Sequence, residues 1–154
     1  MELAHIKDCI HEVRGMKVML DMDLAKMYQI ETKRLKEAVR RNSRRFPPDF
    51  MFELTSNEWE NLRTQFASSS WGGKRYLPFA FTEQGIAMLS SVLHSDVAIE
   101  INISIMRAFL HMRQWALSHE ELAIQLRNLE KRYDRKFVDI EQVLTYLMQK
   151  DQKK

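Results

Sequence analysis

Apolar residues recur along this chain at intervals that change several times, and each change marks a predicted element. Leu3, Ile6 and Ile10 repeat at three and four, so residues 3–14 read as a short amphipathic helix interrupted by Gly15. Val18-Met19-Leu20 is a short apolar run of strand character. Residues 21–28, 29–31 and 32–42 then form a helix, a tight turn and a second helix, with Asp21 or Asp23 placed to cap the first. Leu24, Tyr28, Ile30, Leu35 and Ala38 supply a small core between the two helices. Ala25 sits where they approach closely. Turns of this kind often use Gly in a left-handed conformation, and the nearest residue here is Gln29. On the second helix Leu35, Ala38 and Val39 are assigned inward, and Lys33, Lys36, Glu37 and Arg40 outward.

The pattern then breaks at Arg45-Phe46-Pro47-Pro48, because proline lacks an N–H and restricts its predecessor. Residues 50–54 form a strand candidate with Phe50, Phe52 and Leu54 on one face. Thr55 with Glu58 three residues on is a capping box, opening a helix to about residue 66. Residues 67–79 read as a hairpin turning at Gly72-Gly73, with Pro78 at its edge or end. Thr82 caps a helix over residues 83–93. Residues 99–105 alternate strictly, a strand signature, yet no turn residue separates them from the helical composition that follows. Val97, Ile101, Ile105, Ala108 and Met112 share one helical face, and Ile99, Ile103, Met106 and Leu110 another. A single helix over 96–117 with two apolar faces implies burial between a core and a partner.

Residues 119–150 lack Gly and Pro. Leu122, Leu126, Leu129, Tyr133, Ile140, Val143 and Leu147 fall at heptad spacing, with Lys136 in one gap. Phe137, Ile140, Leu144 and Leu147 give a shifted frame, as a stutter would. This is a coiled-coil candidate of four heptads, for which self-association is the expected use of the stripe.

Charge changes the reading of the second helix. Positions 33 to 45 hold Lys33, Arg34, Lys36, Arg40, Arg41, Arg44 and Arg45 against one acid, Glu37, whereas the whole 154-residue chain carries a net of only +3. A solvated structural helix would alternate signs four residues apart; here like charges crowd. A positive helix on a nearly neutral body is the footprint of a polyanion binder. In that geometry the first turn, Thr32 and Lys33, reaches base edges, and arginines grip phosphates. Lys74 and Arg75 beside Gly72-Gly73 suit a wing on phosphates or the minor groove.

Other chemistries find little support. No run approaches the ~18 apolar residues of a membrane span, and the acidic start is unlike a signal peptide; a cytoplasmic setting is expected. Cys9 stands alone, which excludes an internal disulfide and a cysteine metal site. His5 and His11 are six apart, and His94, His111 and His119 lack acidic partners at ligand spacing. Gly72-Gly73-Lys74 lacks the frame of a phosphate loop, and Ser68, Ser69 and Ser70 lack a nucleophile elbow. No enzyme, cofactor, metal or small-molecule substrate is expected.

Several phrases, in order, resemble the ORF-six N-terminal domain family, related to the KilA-N and Bro-N domains of phage and large DNA virus proteins. They are residues 18–25, 45–52, 69–78, 81–93 and 105–109, so that the resemblance covers about residues 8–115. It implies a DNA-binding module of phage or mobile-element origin, a helix for the isoleucine-rich stretch, and no catalytic residues. The expected fold is α+β: a mostly helical, helix-turn-helix-like domain with a small β-hairpin sheet over residues 1–117, then a C-terminal coiled-coil helix over 118–154. The expected partner is double-stranded DNA, contacted by Thr32, Lys33, Lys36, Arg40, Arg41, Arg44, Arg45, Lys74 and Arg75. A homodimer through Leu122, Leu126, Leu129, Tyr133, Ile140, Val143 and Leu147 is also expected. The alternative is an antirepressor-type module that captures a repressor protein.

Overall fold

The computed structural model of the protein describes residues 3–65 and 76–152. Its elements run α1 (Leu3–Asp8), β1 (Ile10–Val13), β2 (Met16–Leu20), α2 (Asp21–Tyr28), α3 (Thr32–Arg41), a 3-10 turn (Ser43–Arg45), β3 (Met51–Glu53), α4 (Ser56–Gln65), β4 (Phe79–Thr82), α5 (Glu83–Leu93) and α6 (Asp96–Gln152). This is the expected α+β layout, with a four-stranded antiparallel sheet in the order β1-β2-β4-β3. The chain divides into two compact units, residues 1–110 and 111–154.

Two strands correct the reading from periodicity. The first helix ends at Asp8, and Ile10–Val13 is an edge strand paired with β2, Val13 opposite Met16. Arg14 and Gly15 both take positive φ, 55° and 73°, the mirror-type turn that suits a two-residue hairpin. Gly15 is therefore a hairpin turn and not a helix stop. The second correction is β4, a central strand over Phe79–Thr82. All four of its residues are buried, because the sheet is covered on both faces, so no alternation betrays it. Tyr76, Leu77 and Pro78 precede the strand. The expected turn at Gly72-Gly73 lies outside the described residues.

The sheet separates two cores. Met19, Phe79 and Phe81 point to one side and pack with Leu24, Tyr28, Leu35, Val39, Ile86, Leu89, Ile105 and Phe109 from α2, α3, α5 and the first part of α6. Val18, Leu20, Phe52 and Ala80 point to the other and pack with Trp59 and Leu62 of α4. Successive side chains of a strand face opposite ways, which is how adjacent residues serve both layers.

The caps form largely as read. Thr55 N–H donates to Glu58 Oε1 at 2.8 Å and Glu58 N–H to Thr55 Oγ1 at 3.2 Å, a complete capping box. Arg14 reaches the same carboxylate with two bonds of 2.8 and 2.9 Å and lies 4.2 Å from the centre of the Phe52 ring. These donors, Arg14 foremost, hold the Glu58 carboxyl down at about 2. Thr82 Oγ1 accepts from Gly85 N–H and donates to the Asp49 carbonyl at 2.8 Å. Gly85 has no alternative: a Cβ there would stand 2.0 Å from the Phe50 carbonyl oxygen.

The isoleucine-rich stretch is helical, as the resemblance implies. Ala98, Ile105, Ala108 and Phe109 are buried, and Asn102 with them. Asn102 accepts a hydrogen bond from the Tyr28 hydroxyl and donates to the Ile86 carbonyl and Ser90 Oγ, tying α2, α5 and α6 together. Burial pushes the Tyr28 hydroxyl well above the ordinary tyrosine value. The second face expected on this helix is open: Ile99, Ile103 and Leu110 are nearly half exposed. The second unit is the remainder of α6, a single helical stretch whose apolar side chains beyond Met112 are exposed within the chain. No helix among the described residues is long and apolar enough to cross a membrane.

Candidate nucleic-acid interface

The basic helix is positioned by the turn before it. Gln29 takes the left-handed conformation, φ 61° and ψ 39°. Ile30 N–H donates to the Ala25 carbonyl at 3.0 Å and Gln29 N–H to Lys26 at 3.2 Å. That bond pair closes a helix and sends the chain off at a new angle, normally with Gly at the left-handed position. Gln29 does the same work at the steric expense of a Cβ. Ala25 is buried, as the close approach requires, and Leu35 and Val39 seat α3 on the core.

With about 3.6 residues per turn, the seating of Leu35 and Val39 sends the opposite side of α3 to solvent. Lys33, Arg34, Arg40 and Arg41 are exposed there, and Arg44 and Arg45 are exposed on the 3-10 turn that follows. Phe46 anchors that turn, buried and edge-on to Phe81 at 6.0 Å. Asn42 Nδ2 donates to the Ala38 carbonyl at 2.8 Å and finishes the helix. Arg40 lies 5.5 Å from the centre of the Phe79 ring, and Arg45 donates to Ser91 Oγ at 3.0 Å. Among the described residues none of these six cations forms an ion pair. Thr32 is the first residue of α3, half-buried, and no side chain caps the helix there.

Lys36 departs from its expected outward position. Its ammonium lies 3.3 Å from Asp21 Oδ2, donates to the Leu77 carbonyl at 3.1 Å and stands 4.9 Å from the Phe79 ring centre. The side chain is 12% exposed and that of Asp21 only 2%. The cause is Asp21. Its carboxylate is taken into the fold by Met22 N–H at 2.7 Å and Phe79 N–H at 3.0 Å, and a buried carboxylate demands a counter-ion. Asp21 is therefore a hub joining α2, β4 and α3, where the sequence suggested a simple cap; the N-cap position itself is Leu20. No local signal marks a contact between residues fifteen and fifty-eight positions apart. Lys74 and Arg75 lie outside the described residues. Arg34 is exposed beside Lys33 on the same basic helix.

The model of the ORF6N domain matches residues 8–92, from the edge of β1 to the last turn of α5. The chain belongs to the ORF6N family. The matched span contains the basic helix, the 3-10 turn and the whole sheet. The phrase at residues 105–109 lies beyond the ORF6N match, as does all of α6. No curated protein and no solved structure matches the chain. Among the described residues no group of three or more His, Cys, Asp or Glu could hold a metal ion. Cys9 is half-buried, and burial raises its thiol to about 11, so it stays protonated at neutral pH.

Proposed function

We propose that this ORF6N protein binds duplex DNA through the outer face of α3 and the turn after it, acting as a phage- or mobile-element-derived transcriptional regulator. The observation that carries the reading is the set of six exposed cations, Lys33, Arg34, Arg40, Arg41, Arg44 and Arg45, within thirteen residues that hold one acid, Glu37, none of the six in an ion pair among the described residues. Such crowding raises the energy of the free protein and is relieved when phosphates approach. Thr32 and Lys33 in the first turn approach base edges. Arg41, Arg44 and Arg45 hold phosphates, which give affinity without sequence information. Lys36, held by Asp21, is left out of the contact set. The chain acts as a homodimer through the exposed stripe of residues 122–147, and no catalysis is part of the reading.

The test is binding of a fluorescent duplex of random sequence across a salt series. Affinity falls with salt by about 0.9 logarithmic units per tenfold change for each phosphate contacted. Arg41→Ala lowers that slope by about one contact. Equal affinity at low and high salt overturns the proposal. Purification of the intact chain with a stoichiometric protein and no affinity for duplex would favour the capture of a repressor instead.

A further inference from the structure

The C-terminal helix carries its own evidence on how two copies meet. This step rests on the proposed homodimer and adds its direction. Over residues 119–150 the heptad core reads Leu122, Leu126, Leu129, Tyr133, Lys136, Ile140, Val143, Leu147. Its seven apolar members are between 44% and 58% exposed in the chain. Lys136 is a charge in the middle of the seam. Arg132 and Asp139 flank it, and among the described residues Arg132, Lys136 and Asp139 are exposed and form no ion pair.

A parallel pair, in register, faces every core residue with its own copy. Lys136 would then meet the partner's Lys136 inside the seam, two like charges in an apolar layer. The flanking pairs of a parallel dimer join each g position to the e position five residues on. Here they would be Gln125 with the partner's Glu130, Arg132 with the partner's Phe137, and Asp139 with the partner's Leu144. None is an ion pair.

Reversing one helix changes each of these contacts. With the two-fold axis between residues 134 and 135, Leu122 meets the partner's Leu147, Leu126 the partner's Val143, and Leu129 the partner's Ile140. Lys136 now lies beside the partner's Tyr133, where its stem packs on the ring and its ammonium is drawn to the ring face. Flanking positions of one kind face each other in this arrangement, so Arg132 meets the partner's Asp139, twice by symmetry. On the other flank Ala123 meets the partner's Leu144 and Glu130 the partner's Phe137, so Leu144 exchanges an acid for an apolar neighbour while Phe137 exchanges Arg132 for Glu130, and the ion pairs between Arg132 and Asp139 decide between the two directions. We infer that residues 119–150 pair with a second copy of this chain as an antiparallel two-stranded coil centred between residues 134 and 135.

The experiment uses the full chain with Cys9→Ser, which removes the native thiol. Leu126→Cys and Val143→Cys are prepared separately, mixed, allowed to exchange and oxidised. The inference expects a crosslinked dimer in the mixture and little in either separate preparation, since residues 126 and 143 of one chain are about 25 Å apart along a helix. Crosslinking within each separate preparation overturns it in favour of a parallel pair and leaves the homodimer intact. A dimer by sedimentation without any crosslink overturns it too. A monomer by sedimentation at all concentrations defeats the underlying homodimer reading instead. A second measurement uses charge alone. Arg132→Glu weakens dimerisation about tenfold, through two lost pairs and two new repulsions, and adding Asp139→Arg restores it to within about threefold. Unchanged affinity in the single variant, or no restoration in the double, speaks against the antiparallel seam.

Discussion

Replacing Lys36 by methionine separates the two roles a cation on this helix could have. The side chain is almost wholly inside, and its ammonium is the only cation within 4.0 Å of the Asp21 carboxylate among the described residues. Removing one member of a buried pair costs about 3–5 kcal/mol when the remaining charge has no other partner. Asp21 keeps two backbone N–H donors, Met22 at 2.7 Å and Phe79 at 3.0 Å. Methionine also preserves the packing of the lysine stem against Phe79. The expected loss is therefore smaller, about 2–3 kcal/mol, or roughly 10 °C in Tm for a domain of this size. Urea denaturation followed by circular dichroism reads it directly. Asp21→Asn, Lys36→Met and their combination complete a double-mutant cycle with a coupling of about 1–2 kcal/mol. Binding of the folded Lys36→Met chain to duplex DNA should stay within about twofold of the parent, with an unchanged salt slope. A variant as stable as the parent that loses DNA affinity would refute the assignment and return Lys36 to the interface.

Further predictions follow from the same contacts. Gly85→Ala should be the most damaging small substitution, above about 3 kcal/mol, because the clash is with the Phe50 main chain and no flexible side chain can yield. Gly15→Ala, at φ 73° with open space around it, should cost only about 1 kcal/mol in the same urea titration. Asn102→Ala should cost about 2–3 kcal/mol by stranding the buried Tyr28 hydroxyl and breaking the tie from α6 to α5; a loss below about 1 kcal/mol would mean that water replaces the amide. Glu58 is held at about 2 against an ordinary 4.5. A folded value below the unfolded one adds stability above pH 4.5, which disappears as the pH falls from there toward 2. Glu58→Gln should flatten that part of the acid limb, measured as the urea midpoint between pH 6 and pH 2.5. An unchanged acid limb would show that Arg14 and Thr55 do not hold this carboxylate in solution.

What the sequence disclosed depended on whether a feature was encoded locally. The Thr55–Glu58 box and the Thr82 cap each join residues three positions apart, and each formed where the pattern placed it, whereas Gln29 takes the left-handed conformation without the Gly such a turn favours. β4 escaped because a strand buried on both faces has no polar alternation to display, and Pro78 made its start look like an end. β1 escaped for the opposite reason. Ile10 continued a three-and-four spacing begun by Leu3 and Ile6, although the chain had already left the helix at Asp8.

Lys36 shows the same limit at the site itself. Helix periodicity assigns it outward only if the surface beneath is apolar, and here a carboxylate from the start of α2 and a carbonyl before β4 lie under it. One of the seven cations is thus consumed in holding α3 to the sheet. That fixed helix is what keeps the remaining six in a constant arrangement, and preorganised charge binds a polyanion at less entropic expense than the same charge on a mobile segment. Removing Asp21 goes further than removing Lys36, because it also takes the acceptor away from Met22 N–H and Phe79 N–H at the junction of α2 and β4; such a variant should bind the fluorescent duplex less well than Lys36→Met does, despite the cation it frees.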